Sequence, residues 1–378
     1  MKKSFIRLAA LLLTAGCVGC SAEKTDTQEN ADYLRCNQTS LFGNMAETED
    51  GFFYLCGSIL YYADKKDMNN WVAVCNKPNC SHTSDECNAW VNYEIAQKDG
   101  KLYTVYLEDG EIHVYEIPAD GSGKQDVYTI PRENNNHIES FRGTINQNQL
   151  VVYYQEMTDD GMFEKKLVRL DGETPHTLFT KTVDEYAGEL CLSASYCGVR
   201  GEDVMIASLL TEEDEDCYNI LWRVDGDVPE RVNIPEGTEV QNSYLSGNEF
   251  IYFKQNEGFY QIDLTTGEEK LVSENQLKDS TGHVLTDQYM AESDWCLGYT
   301  SDNPTLKFYN GNTWKDVKLP EEAKNPEASF YPVAVASDRI FFRSYYSYNR
   351  EGKTRLYYFL LEEESPELIF CSEFASPA

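Results

Sequence analysis

Histidine and positive charge are both scarce in this chain. Only five of its 378 residues are histidine, and 32 lysines and arginines face 64 aspartates and glutamates, a formal charge of −32. A nucleic-acid partner needs a basic face, so that class is excluded. Five histidines leave few general bases near neutral pH. No HExxH zinc pair occurs. No nucleophile elbow is present either: the nearest string, ADGSG at 119–123, lacks the first glycine and reads as a hairpin turn. The densest acidic run, TEEDEDC at 211–217, lacks the spaced carboxylates and turn glycine of a calcium loop. Beyond the first residues, nothing approaches the roughly 18 apolar residues of a membrane helix.

The first residues form a targeting signal. Lys2, Lys3 and Arg7 are its basic part, Leu8 to Leu13 its apolar core, and TAGC follows. That core is too short to remain as a spanning helix. Ala15 and Gly16 directly before Cys17 resemble the lipobox of bacterial lipoproteins, in which the cysteine is acylated and becomes the new N-terminus. The expected organisation is a signal peptide at 1–16, a lipidated Cys17 with a polar tether to residue 32, and one domain at 33–378. The expected location is extracytoplasmic, with the membrane reached through the N-terminal lipid.

Tyrosine, by contrast, is abundant at 26 residues, and hydrophobic content is 41%. Such a chain favours strands around a packed core. A repeat organises it. GFFYLCG starts at 51, GKLYTVYL at 100, NQLVVYYQ at 148, EDVMIASLL at 202, NEFIYFKQ at 248, DWCLGYTS at 294 and DRIFFRSYY at 338. The spacings are 49, 48, 54, 46, 46 and 44 residues, near the ~40–50 of propeller blades. Partner strands IHVYEI, KLVRL, ILWRV, FYQIDL and LKFY follow, several ending in Asp-Gly or Asn-Gly, pairs that accept the positive backbone angles of tight turns. The reading is all-β: a single β-propeller of seven four-stranded blades, with six blades as the alternative. Each copy is taken to open on the strand quoted, and FYPVAVAS is taken as an innermost strand before the last. DYLRCNQ at 32–38 is a candidate to pair with the last blade, placing Cys36 near Cys371.

LYYAD at 60–64 resembles the strand signature of the YWTD propellers of low-density-lipoprotein receptors, with Tyr62 and Ala63 where the signature has Trp and Thr. With the lipobox and repeats, the chain is similar over roughly residues 40–375 to lipid-anchored bacterial propellers related to the YWTD and TolB-like families. The resemblance implies a propeller fold and assigns no activity. The chain lacks the Ser-x-Asp-x-Gly-x-x-Trp box of sialidase-like propellers; SDNPTLKFYNGNTW at 301–314 departs from it.

One stretch concentrates metal-ligand types: Cys75, Cys80, His82 and Cys87 in CNKPNCSHTSDEC. Thiolates with an imidazole suit a closed structural zinc site. A disulfide among the three cysteines suits the compartment equally, and free thiols in a loop over the first blade are the third reading. In an extended segment Cys80 and His82 would share a face. His113 is expected in a strand, His137 and His283 in polar connections.

The function these features favour is a noncatalytic binding or scaffold propeller for an extracellular peptide, protein or glycan. Trp71, Trp90, Trp222, Trp295 and Trp314 are candidate flat anchors, or else packing between blades. The alternative is a carbohydrate-active hydrolase or lyase using acidic residues near the channel. A role in envelope assembly is a third, on analogy to TolB-like propellers.

Overall fold

The computed structural model describes residues 44–375 apart from connections at 93, 99, 133–136, 147–148, 159, 172–173, 184–190, 201–202, 212–216, 226–227, 233–238, 247–248, 255–257, 264–265, 267, 275–286, 293–294, 301–304, 310–313, 325–327 and 347–352. The expected signal, tether, Cys17 and the 32–38 segment with Cys36 lie outside the described residues, as does His283.

Among the described residues, seven four-stranded antiparallel sheets follow one another along the chain, each a meander in sequence order. The first is β1 (Met45–Glu47), β2 (Gly51–Cys56), β3 (Ile59–Asp64) and β4 (Val72–Ala73). The second is β5 (Ile95–Lys98), β6 (Lys101–Glu108), β7 (Glu111–Ile117) and β8 (Gln125–Ile130). The third is β9 (His137–Asn146), β10 (Gln149–Met157), β11 (Phe163–Asp171) and β12 (Thr174–Val183). The fourth is β13 (Cys191–Arg200), β14 (Asp203–Thr211), β15 (Cys217–Asp225) and β16 (Val228–Val232). The fifth is β17 (Glu239–Ser246), β18 (Glu249–Lys254), β19 (Gly258–Asp263) and β20 (Glu269–Glu274). The sixth is β21 (Asp287–Glu292), β22 (Trp295–Thr300), β23 (Thr305–Tyr309) and β24 (Trp314–Val317). The seventh is β25 (Ala328–Val335), β26 (Arg339–Tyr346), β27 (Lys353–Leu360) and β28 (Ile369–Ala375). Among the described residues the one helical element is a 3-10 turn at Glu321–Lys324, and no helix is long and apolar enough to cross a membrane.

First strands of four successive pairs of sheets lie beside one another: β1 by β5, β5 by β9, β13 by β17 and β17 by β21. Consecutive meanders hinged on their first strands are the arrangement of a β-propeller, in which each sheet buries its faces against its neighbours. The sequence GFFYLC shows why. Both faces of β2 are buried, and the period of two sends alternate side chains to opposite neighbours. Phe53 and Leu55 pack with Ile95, Leu102 and Ile117 of the second sheet. Phe52, Tyr54 and Cys56 pack with Phe341, Leu356 and Phe374 of the seventh.

Two expectations are corrected here. The recurring strand quoted for each copy is the second strand of its sheet; a preceding strand such as MAE or IAQK lies inside it. His137 is not in a connection but opens β9, paired with Met157. His113 lies in β7, as expected.

The first and last sheets are each built from contiguous chain and meet through side chains. Phe52 and Phe341 stack edge to face at 5.0 Å between centroids. Arg339 lies over the rings of Phe52 and Tyr358 at 5.3 and 4.9 Å. Glu47, buried at the end of β1, accepts the Ser337 N–H at 2.8 Å and the Ser337 hydroxyl, and pairs with Lys65 at 2.6 Å. Cys371, expected near Cys36, donates to the Met68 carbonyl at 2.9 Å, while Trp71 Nε1 lies 2.9 Å from its sulfur. Trp71 is therefore packed into this seam, in ring contact with Tyr54 and Phe374.

Asp338 makes two 2.7 Å bonds to Arg339 in the same seam. Burial pushes its pKa up, but the bonds and charge of Arg339, with Lys65, outweigh burial and hold it below the ordinary value. A carboxyl depressed on folding contributes stability above the unfolded pKa of about 4, and that contribution is lost as pH falls through the folded value. Its side chain is 51% exposed, so solvent screening keeps the effect at roughly 1 kcal/mol or less. Asp338→Asn is expected to lower urea-unfolding stability at pH 7 by that amount and to show a smaller deficit at pH 3. An equal deficit at both pH values would remove the ion pair from the account.

Candidate metal centre

The four clustered residues belong to an excursion from the edge of the first sheet. β4 pairs Val72 with Tyr62 and Ala73 with Tyr61. Val74 N–H then bonds the Leu60 carbonyl at 2.9 Å and the chain leaves the edge. It returns at residue 89: Leu60 N–H donates to the Ala89 carbonyl, Trp90 bridges Ile59, and Val91 N–H donates to Ser58, the two bonds each 2.8 Å. Residues 89–91 thus resume, in the same direction along β3, the pairing that β4 began. The cysteine segment is an insertion within the fourth strand.

Inside the excursion the chain turns repeatedly and is not extended. Asn79 and His82 have left-handed φ of 59° and 55°, a region that Asn and His enter more readily than most side chains. One such residue stands immediately before Cys80 and the other is itself the candidate ligand. Two left-handed steps bring Cys80 and His82 to one point, where the sequence suggested a shared strand face. A turn closed by Cys87 N–H on the Ser84 carbonyl at 3.0 Å presents the last cysteine.

The result is convergence. The sulfurs of Cys75, Cys80 and Cys87 and a ring nitrogen of His82 all lie within 4.8 Å of one another, with His82 Nδ1 3.2 Å from Cys87 Sγ. Tetrahedral zinc, with bonds of ~2.3 Å to sulfur and ~2.0 Å to nitrogen, spaces its donors about 3.5–3.8 Å apart. Small side-chain adjustments bring the set to that shell, so the Cys3His group could hold a metal such as zinc. Cys87 is the buried base, packed with Leu55, Leu60, Val91 and Ile117; the other three are half-buried. These three thiols, with Cys56 and Cys371, are free.

Backbone N–H groups aim at the sulfurs. Ala89 N–H points to Cys87 Sγ at 3.4 Å. Burial acts to raise the Cys75 pKa, but N–H bonds from Lys77 and Asn88 and the thiols of Cys87 and Cys80 hold it below the ordinary value. Cys87 is pushed up to about 12, by burial first and by the neighbouring Cys80 and Cys75 in addition. With no cation, one negative charge is favoured at Cys75 and a second is opposed. A divalent ion reverses that balance, since it binds thiolates and displaces their protons.

The site is pinned to the second sheet at the β7–β8 turn. The Gly121 carbonyl accepts Asn76 N–H at 3.1 Å and Asn88 Nδ2 at 2.7 Å. Gly121 has φ of 72°, and a Cβ there would stand 2.8 Å from Cys75 N, so only glycine lets the two backbones approach. Lys124 donates to the Trp90 carbonyl and to Tyr106 Oη, each at 2.9 Å. Trp90 itself packs beside the buried base. This docking was not legible in the sequence, where Asp120-Gly121 read only as a reversal. Elsewhere in the second sheet, His113 Nδ1 meets Asp126 at 2.7 Å on a partly exposed face. Of the remaining tryptophans, Trp314 is half-buried, and the side chains of Trp222 and Trp295 lie outside the described residues.

No protein-family model matches the chain, and no curated protein matches it. Solved structures do. BamB from Moraxella catarrhalis is 12% identical, with 88% of this chain and 85% of that chain covered, at a TM-score of 0.40. An oligogalacturonate lyase in complex with manganese is 13% identical, with 90% and 88% covered, at 0.48. The β-propeller domain of the Trilobed protease from Pyrococcus furiosus, which has an open velcro topology, is 9% identical, with 88% and 98% covered, at 0.49. Likeness at this level carries no activity from those proteins to this chain.

Proposed function

We infer that this chain is an extracytoplasmic lipoprotein, anchored through Cys17, whose seven sheets are the blades of one propeller acting as a noncatalytic binding or scaffold module. Its partner class is an extracellular peptide, protein or glycan. The Cys3His group is its structural zinc centre. The observation that carries the structural reading of this centre is the donor set itself: four protein ligands converge on one point, and four fill a tetrahedral shell, whereas catalytic zinc keeps a position for water or substrate. Three thiols and an imidazole also favour an ion over a disulfide, which would join two sulfurs and leave the third thiol and His82 unmatched. Kinship with the lipid-anchored YWTD- and TolB-like propellers belongs to the same reading.

The test is a glycan and peptide array probed with the purified domain from residue 33, paired with assays of product release from captured ligands. Capture without turnover is expected. Release of shortened glycans or unsaturated products at many turnovers per protein would replace the module with a hydrolase or lyase. In the native envelope, Cys17→Ser is expected to move the protein from the membrane to the medium.

A further inference from the structure

We propose that zinc in the Cys3His site is the lock between the first and second blades: it closes the insertion inside the fourth strand and holds Asn76 and Asn88 on the Gly121 carbonyl. The inference rests on the zinc reading and deepens it by assigning the ion's effect to one seam.

Three observations converge. First, the fourth strand of the first sheet exists in two pieces, Val72–Ala73 and residues 89–91, both paired with β3. The second piece can pair only if the chain between them closes on itself, and loop closure costs entropy that a cross-link removes. Cys75 and Cys87 stand at the two ends of that excursion, one residue after Val74 leaves the edge and two before Ala89 rejoins it. A metal joining them is a clasp across its mouth. Second, the residues that follow those two ligands, Asn76 and Asn88, are the ones bonded to Gly121, and to each other at 3.2 Å. The ion therefore fixes the spacing of the two donors that grip the neighbouring blade. Third, Gly121 approaches so closely that a Cβ would stand 2.9 Å from Cys75 Cα and Asn76 N. The turn of the second blade is seated against a ligand's own backbone, and a shift of Cys75 is transmitted to it directly. Asn76 and Asn88 are positioning residues and do not touch the metal.

Hydrogen exchange on the purified domain, with zinc and after a high-affinity chelator, reads the lock amide by amide. The Asn76 amide reports the grip on Gly121; those of Leu60 and Val91 report the resumed strand. Chelation is expected to speed exchange at all three by at least about tenfold, as local opening replaces a protected state. Amides of β10 and β11, which pair in the third sheet, are expected to keep their rates. Asn88→Ala is expected to retain a full equivalent of zinc and to speed Asn76 while leaving Leu60 slow, which separates the grip from the clasp. Zinc bound but without effect on any of the three amides would overturn the lock and leave the zinc centre standing. A domain that binds no zinc would overturn both.

Discussion

Replacing Cys75 with serine is expected to take the purified domain from about one equivalent of zinc to roughly none, and to weaken zinc binding by more than the 10–100-fold that follows loss of an outer-shell partner. Stability follows occupancy. With free zinc at about a thousand times its Kd, a bound ion contributes roughly 4 kcal/mol, and the variant loses that contribution. The loss should equal that caused by chelating the unmodified protein, because in both cases the same clasp opens. Cys56→Ser is the control: Cys56 is a buried thiol facing the seventh sheet, away from the cluster, and its variant is expected to keep the metal whatever it costs in packing. If Cys75→Ser binds zinc as tightly as the unmodified chain, Cys75 is not a ligand and the four-donor shell is wrong.

The second large effect lies at the seam between the first and seventh sheets. Phe341 is fully buried and stacks on Phe52, with Tyr358 also against it. Phe341→Ala removes that contact and leaves a void, a change that costs ~3–5 kcal/mol in packed cores. The arrangement makes the site sensitive. The four strands of the first sheet and the four of the last are each contiguous in sequence, so among the described residues side chains join the two, and the ladder of one sheet does not continue into the other. Urea unfolding measures the loss, and a drop below about 1 kcal/mol would mean that this face closes nothing.

Much of this architecture is written in the sequence, and the part that is not has a physical cause. The second, third and fourth strands carry alternation or long apolar runs bounded by turn residues, which is why GFFYLC and IHVYEI stand out. The first strands of the first two sheets are different. MAE is three residues, all buried, and IAQK includes a buried glutamine; strands enclosed on both faces and so short carry no period of two. FYPVAV, within β25, carries an apolar run and is legible as an innermost strand.

The candidate site divides in the same way. Its residue types and their crowding within thirteen positions are visible at once. Its geometry is not, because Asn79 and His82 adopt left-handed backbone angles that no spacing rule announces, and because the partner that seats it, Gly121, is distant in sequence. The interruption of the fourth strand was equally hidden, since residues 89–91 look like loop until they are seen beside β3.

The most direct measurement is zinc-edge X-ray absorption on the domain purified without chelator, with thiols counted on the same sample. A shell of about three sulfurs at ~2.3 Å and one nitrogen at ~2.0 Å, with Cys75, Cys80 and Cys87 protected from alkylation until the ion is removed, is the result expected. No bound metal, with two of those cysteines alkylated only after reduction, would make the insertion a disulfide cap and contradict the account at its centre.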